Sequence, residues 1–228
     1  MLISDFNKLP QQMKNKQVYS YYEMLDEKRA SLCAKRIFDI ILSLILIVLF
    51  LLPMLVIAVI IKTDSKGHVF YTQPRITKNY RKFNIIKFRT MYECSGGSSS
   101  SLTISGDGRV TKAGSKLRYM RLDEIPQLFN ILFGSMTFVG TRPEVEKYVS
   151  MYTDDMLATL LLPAGLTSKA SILFRKESEL LKDEQDASRT YIEEILPSKM
   201  IHNLEYLRDY SFMNDMRILM KTLFKLNC

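Results

Sequence analysis

Two adjacent carboxylates, Asp123 and Glu124, sit in the stretch RLDEIPQLFN directly after a strongly cationic run. From Gly108 to Leu122 there are five basic residues (Arg109, Lys112, Lys116, Arg118 and Arg121) and no acidic one. Such a pair has two readings. At a helix start, carboxylates cap backbone amides and favour the positive end of the dipole, and Asp123 suits that cap position. Where anions gather, the same pair can hold a hard cation such as Mg²⁺, which takes one or two carboxylates together with substrate phosphate oxygens. An aspartate can also accept a phosphoryl group covalently. Other chemistries have little support. The two histidines, His68 and His202, are not in HExxH spacing. The three cysteines, Cys33, Cys94 and Cys228, form no CxxC, which leaves thiolate zinc and a disulfide frame without a basis and fits a reducing compartment.

The chain that must position these groups has 228 residues, 47% hydrophobic, with a formal net charge of +8. That size supports one ample core, and the charge favours an anionic partner: a lipid surface, a phosphorylated substrate or nucleic acid. The Lys and Arg residues are spread over separate elements and no nucleic-acid motif is present, so no nucleic acid is expected. No GxGxxG or P-loop pattern occurs. Ile40 to Ile61 is an uncharged apolar run of 22 residues, about 33 Å of helix, enough to cross a bilayer core. Pro53 lies inside it and predicts a kink. Basic residues flank both ends (Lys28, Arg29, Lys35 and Arg36; Lys62, Lys66, Arg75 and Lys78), whereas a spanning helix carries its excess on one side. Length allows a crossing; the proline and the symmetric flanks fit a helix that returns to the face it entered.

Before this run, residues 1–36 read as a polar N-terminal extension and a helix whose Tyr21, Met24, Leu25, Leu32 and Cys33 form an apolar stripe suited to a membrane surface. Residues 37–62 read as the membrane helix and 63–228 as the domain that follows it. Within the latter, HVFYTQPRI and KFNIIKFRTM form a predicted β-hairpin in a region with seven Lys or Arg and no acidic residue between 65 and 92. SGGSSSSLTISGDG (95–108) reads as a loop. A helix is expected over 112–119. DEIPQLFNILFG reads as a short helix stopped by Gly134, and TFVGTRPE as a strand and tight turn. The remainder is largely helical, with LLPAGLTS as a loop and an amphipathic C-terminal segment. The fold class is therefore α+β, mainly helical, with a small hairpin.

KRIFDI, the proline-containing apolar helix, SKGHVFYTQPR, KFNIIKFRTM, GRVTKAGSKLR, RLDEIPQLFNIL and GSMTFVGTRPE follow one another as in the bacterial sugar transferases, the monotopic polyprenol-phosphate phosphoglycosyl transferases. The chain resembles that family closely from about Lys35 to Glu144, and more loosely through LLPAGLTSKASI and NLEYLRDYSF. The resemblance implies transfer of a sugar phosphate from a UDP-sugar to undecaprenyl phosphate, beginning a capsule, O-antigen or exopolysaccharide. It implies a plasma-membrane location with the catalytic domain on the cytoplasmic face, contact with membrane lipid, and compatibility with a homodimer. It assigns Asp123 as nucleophile and Glu124 as its partner with Mg²⁺, both near the metal. Phosphate-binding positions match Lys87, Arg118 and Arg142, with Arg89 and Glu144 as additions. Weighed with the flanks, it favours a kinked re-entrant helix. The chain departs from the family at Leu52-Pro53, where Ser-Pro is common, at GTRPE in place of GPRPE, and at LLPAGLTSKASI. The competing reading is a membrane-anchored binding module without catalysis, in which Asp123 and Glu124 would be replaceable.

Overall fold

The computed structural model describes residues 3–92, 107–175 and 188–224. The chain opens with α1 (Lys16–Asp26) and α2 (Arg29–Asp64), followed by a hairpin of β1 (Phe70–Thr77) and β2 (Arg81–Phe88). Then come α3 (Lys112–Tyr119), α4 (Gln127–Leu132), β3 (Met136–Val139), α5 (Glu146–Val149), β4 (Ala164–Thr167), α6 (Lys169–Leu173), α7 (Leu196–Arg208) and α8 (Phe212–Leu223). The α+β, mainly helical reading holds. The Gly/Ser stretch at 95–108 falls outside the described residues except for Asp107 and Gly108.

Helix α2 carries the apolar run and is one helix through Pro53, starting at Arg29, upstream of residue 37. Its buried residues are Leu32, Lys35, Asp39, Ser43, Met54, Ile57 and Ile61. Steps of three, four and eleven keep them on one stripe. The opposite side exposes Ile41, Leu44, Val48, Leu49, Leu52, Leu55 and Val59. So large a continuous apolar surface is foreign to a soluble monomer and fits contact with lipid.

The N-terminal extension differs from its expected place on a membrane surface. Met13, Val18 and Leu25 are fully buried, and with Ile3, Leu9 and Tyr21 they belong to the main core. Asn79 Nδ2 donates to Ser4 Oγ at 2.6 Å, tying this segment to the hairpin turn. The stripe on α1 faces protein because the 3₁₀ turns at 156–161 and helix α7 supply apolar partners, which no local pattern could disclose. Likewise LLPAGLTS is not all loop. It contains β4, which pairs in parallel with β3 through Met136↔Ala164 and Val139↔Thr167.

Among the described residues each sheet has two strands, and side chains satisfy groups at the outer edges of β2 and β3. On β3, Asp39 Oδ1 accepts from Phe138 N at 3.3 Å, and Lys35 Nζ donates to Val139 O at 2.8 Å. Lys35 also pairs with Asp215 at 2.5 Å, both fully buried. Thus the KRIFDI segment fastens α2 to β3 and α8. Arg36 completes the lock by donating to Ile131 O at 2.6 Å and Leu132 O at 2.8 Å, satisfying the last carbonyls of α4.

Gly140 and Gly165 let β3 and β4 touch. A Cβ on Gly165 would stand 2.2 Å from Gly140 N and O. Gly165 N also donates to Thr141 O at 2.8 Å, fixing the turn that leads to Arg142. Gly165→Ala is therefore expected to cost about 1–3 kcal/mol through overpacking of backbone against backbone. The check is a lowered melting temperature, accompanied by weaker binding of phosphorylated ligands.

Candidate active site

The two carboxylates do not cap a helix. Leu122–Glu124 forms a separate 3₁₀ turn, entered through Arg121 in the left-handed region at φ 59°. Helix α4 begins only at Gln127, and Pro126 at its N-cap accepts no side-chain bond. This turn takes Asp123 and Glu124 off the helix axis and lays them between the hairpin and the turn after β3. A non-glycine residue held at positive φ is a conformation the surroundings must enforce, and such positions cluster at functional sites.

Glu124 is the centre of the charge arrangement. Its Oε1 accepts from Lys87 Nζ at 2.9 Å and from Arg142 Nη2. Lys87 comes from β2 and Arg142 from the turn following β3, so three separate elements converge on one oxygen. Burial alone would push the Glu124 carboxyl up. The charges of Arg142 and Lys87 outweigh burial and hold it well below the usual carboxylate range.

Asp123 is the opposite case. It is 7% exposed, and no hydrogen bond or ion pair reaches its carboxylate from any described residue. Burial and the neighbouring Glu124 charge push its carboxyl up, against the longer-range pull of Lys87, Arg118 and Arg121. A carboxylate on a largely buried residue, with no partner among the described residues, suits attack on an electrophile or contact with a cation. Arg118 is directed by Thr90, whose Oγ1 accepts from Arg118 Nε at 2.8 Å. Gly114 permits this closeness, since a Cβ there would lie 2.1 Å from Thr90 O.

Apolar neighbours fix the site to α2. Phe88, Leu117, Leu122 and Ile125 each adjoin a site residue in sequence, and they pack with Met54, Ile57 and Ile61 of α2 in one cluster. The end of α2 is also bound directly. Asp64 Oδ2 accepts from Ala113 N at 3.2 Å, at the start of the helix carrying Arg118.

The structure brings Lys87, Asp123, Glu124 and Arg142 together, with Arg118 beside them. It gives Arg89 and Glu144 other partners. Arg89 donates to Ser65 O at 2.8 Å, to Ser65 Oγ at 3.0 Å and to Lys66 O, holding the chain that leaves α2. Glu144 is buried, accepts from Tyr191 OH at 2.5 Å, and lies 3.8 Å from Arg75 and 3.9 Å from Lys199. Arg75 in turn donates to Pro143 O at 3.2 Å, so this group steadies the turn bearing Arg142. Sequence reading missed Tyr191, Lys199 and Arg75 as its members, since nothing in local spacing joins them. Asn130 was also missed, although an amide inside the apolar run QLFNIL was a readable signal.

No cluster of three or more His, Cys, Asp or Glu side chains suited to a metal occurs among the described residues. Asp123 and Glu124 are the neighbouring carboxylates at this site that could hold a cation. It fits Mg²⁺, which completes its shell with water and phosphate oxygens. Asp123 is the better donor, because Glu124 already shares its charge with two cations.

A long apolar helix with an exposed lipid-suited face is packed against a group of cations gathered around the buried Asp123 and the part-buried Glu124. The chain belongs to the bacterial sugar transferase family, whose model matches residues 30–227. It is 33% identical over 192 residues to a UDP-N-acetylgalactosamine-undecaprenyl-phosphate N-acetylgalactosaminephosphotransferase of Aeromonas hydrophila, covering 83% of this chain and 42% of that protein. It is 35% identical over 196 residues to a UDP-glucose:undecaprenyl-phosphate glucose-1-phosphate transferase of Klebsiella pneumoniae, covering 84% and 39% respectively. The exopolysaccharide production protein ExoY of Rhizobium meliloti is 29% identical over 83% of this chain and 84% of its own length. The chain spans about two fifths of the length of the first two relatives.

Proposed function

We propose that the chain transfers a sugar 1-phosphate from a UDP-sugar to undecaprenyl phosphate through a covalent Asp123 intermediate, releasing UMP. The observation that carries this reading is Asp123, largely buried and without a partner among the described residues, beside a Glu124 held by two cations. In the first step an Asp123 oxygen attacks the phosphorus bearing the sugar. The bond from that phosphorus to the bridging oxygen breaks, and UMP leaves with the electron pair. In the second, a phosphate oxygen of undecaprenyl phosphate attacks the same phosphorus and returns the carboxylate, giving the diphosphate-linked lipid. Phosphoryl transfer needs mainly positioning and charge neutralisation. In this reading Lys87, Arg118 and Arg142 take phosphate oxygens, and Glu124 orients Lys87 and Arg142. Mg²⁺ bound at Asp123 and Glu124 would neutralise further phosphate charge. One nucleophile serving both partners in turn lets a soluble donor and a membrane acceptor share a single site.

The reading predicts UMP and lipid-linked sugar diphosphate from a panel of UDP-sugars with undecaprenyl phosphate. Without the acceptor, it predicts a stoichiometric UMP burst and a protein mass increased by one sugar phosphate. Release of UDP would mark a simple glycosyl transfer and overturn it. No product with any donor would favour a binding module.

The helix is proposed to be re-entrant, with the catalytic body on the cytoplasmic face. Support comes from the packing of α2, which is fastened to that body near both ends, by Lys35 and Asp39 at one and by Asp64 and Ser65 at the other. A crossing would drag buried ion pairs of the body through about 30 Å of hydrocarbon. Single cysteines at the exposed positions Ala30 and Lys66, in a background lacking the native three, are expected to be shielded together from an impermeant maleimide in intact cells. Labelling of one alone from outside would establish a spanning helix.

A further inference from the structure

We infer that Asn130 is a positioning residue that sets the place of Lys87 by acting as a surrogate strand for β2. Lys87 lies on the second strand of a sheet that has two strands among the described residues, so β2's far edge meets no third strand there. Asn130, 6% exposed on α4, fills that role. Its Oδ1 accepts from Ile86 N at 2.9 Å and its Nδ2 donates to Asn84 O at 2.9 Å. A planar amide with one donor and one acceptor reproduces the pair of bonds that a neighbouring strand would make to residues 84 and 86. Ser135 buttresses it, donating from Oγ to Asn130 O at 3.1 Å.

The consequence lies in what the amide connects. Helix α4 follows directly on the turn carrying Asp123 and Glu124, and β2 carries Lys87 one residue beyond Ile86. Asn130 therefore fixes the gap that the 2.9 Å Lys87–Glu124 contact closes. The hairpin's own pairing to β1 sets the register of β2 but not its distance from α4. An alanine at this place deprives Ile86 N and Asn84 O, which are only part-buried, of their partner, and the polar tie between β2 and α4 is lost.

The inference rests on the transfer reading for its kinetic arm, so the test has an arm that does not. Asn130→Ala is expected to lower kcat about 10- to 100-fold, as small misplacements of catalytic groups do, with KM for the UDP-sugar within about threefold of wild type. Asn130→Asp, which keeps the acceptor for Ile86 N, should recover part of that loss. In a Lys87→Ala background the Asn130→Ala change should cost almost nothing more, since it acts through Lys87. Fully additive losses, or equal losses in Asn130→Ala and Asn130→Asp that follow melting temperature, would overturn the inference. Independently of activity, hydrogen exchange of the full-length protein in detergent should show faster exchange of the Ile86 amide in Asn130→Ala, with the β1 amides paired to β2 unchanged. Unchanged protection at Ile86 would overturn the inference even in an active enzyme. A wild type without transfer activity would instead sink the functional reading and leave the exchange arm to decide the role of Asn130.

Discussion

Replacing Asp123 with asparagine is expected to abolish transfer while leaving the protein as stable as before or more so. The amide keeps the size of the side chain and removes the anionic oxygen that would bond to phosphorus. Loss of a covalent nucleophile elsewhere costs on the order of 10⁴-fold or more in turnover. The stability sign follows from the environment. Burial and the Glu124 charge raise the folded-state carboxyl of Asp123 above its unfolded value, so folding favours the protonated form. Its ionised form is therefore a burden above that raised value, and relief from the burden is complete only below the ordinary carboxylate range. A neutral side chain at this position should raise the melting temperature at neutral pH and make no difference in acid. Thermal melts of wild type and Asp123→Asn across pH, with the mass of the acceptor-free reaction, are the measurements. A variant that turns over normally, or that retains the covalent adduct, would remove Asp123 from its role. A variant that unfolds at neutral pH would make Asp123 a structural group.

Much of this site was legible because its members lie in short sequence motifs. Asp123 and Glu124 announced themselves as adjacent carboxylates after a run of cations, and the apolar run of α2 could be read by length alone. Three features were not legible, each for a physical reason. Asp123 looked like a cap because capping depends on residue type, yet the left-handed Arg121 turns the carboxylates away from the helix, and no composition signals that φ angle. Strand β4 looked like a loop because Pro163 and Ser168 flank it and Gly165 lies within it, whereas its pairing with β3 requires the close approach that Gly165 allows. The N-terminal stripe looked like a membrane-facing surface because amphipathicity reports only that one face is apolar. Whether lipid or protein covers that face is decided by partners more than a hundred residues away. Arg89 and Glu144 make a related point: the spacing of a short motif does not disclose the partners its charged residues meet, Ser65 in one case and Tyr191 in the other.

Glu124→Gln should give a different signature from its neighbour, even though the two are adjacent in the chain. Here the cations outweigh burial, so the folded carboxyl lies below its unfolded value and ionisation stabilises the fold. That contribution is present above the ordinary carboxylate range and is lost as pH falls toward the depressed folded value. Neutralising the side chain leaves Lys87 and Arg142 facing each other with an amide between them. Breaking a buried pair costs about 3–5 kcal/mol, and partial exposure of both cations brings the expectation down to about 2 kcal/mol at neutral pH. The gap from wild type should close in acid, where the native carboxylate also loses its charge. Turnover should drop about 100-fold, the scale seen when one preorganised electrostatic contact is removed. If Glu124 also supports Mg²⁺, the variant will need more of the ion for half-maximal rate, while a role confined to Lys87 and Arg142 leaves that requirement unchanged. Melting curves between neutral and acid pH, paired with a magnesium titration of initial rates, separate the two. A stability gap that widens in acid would contradict the charge arrangement described at Glu124.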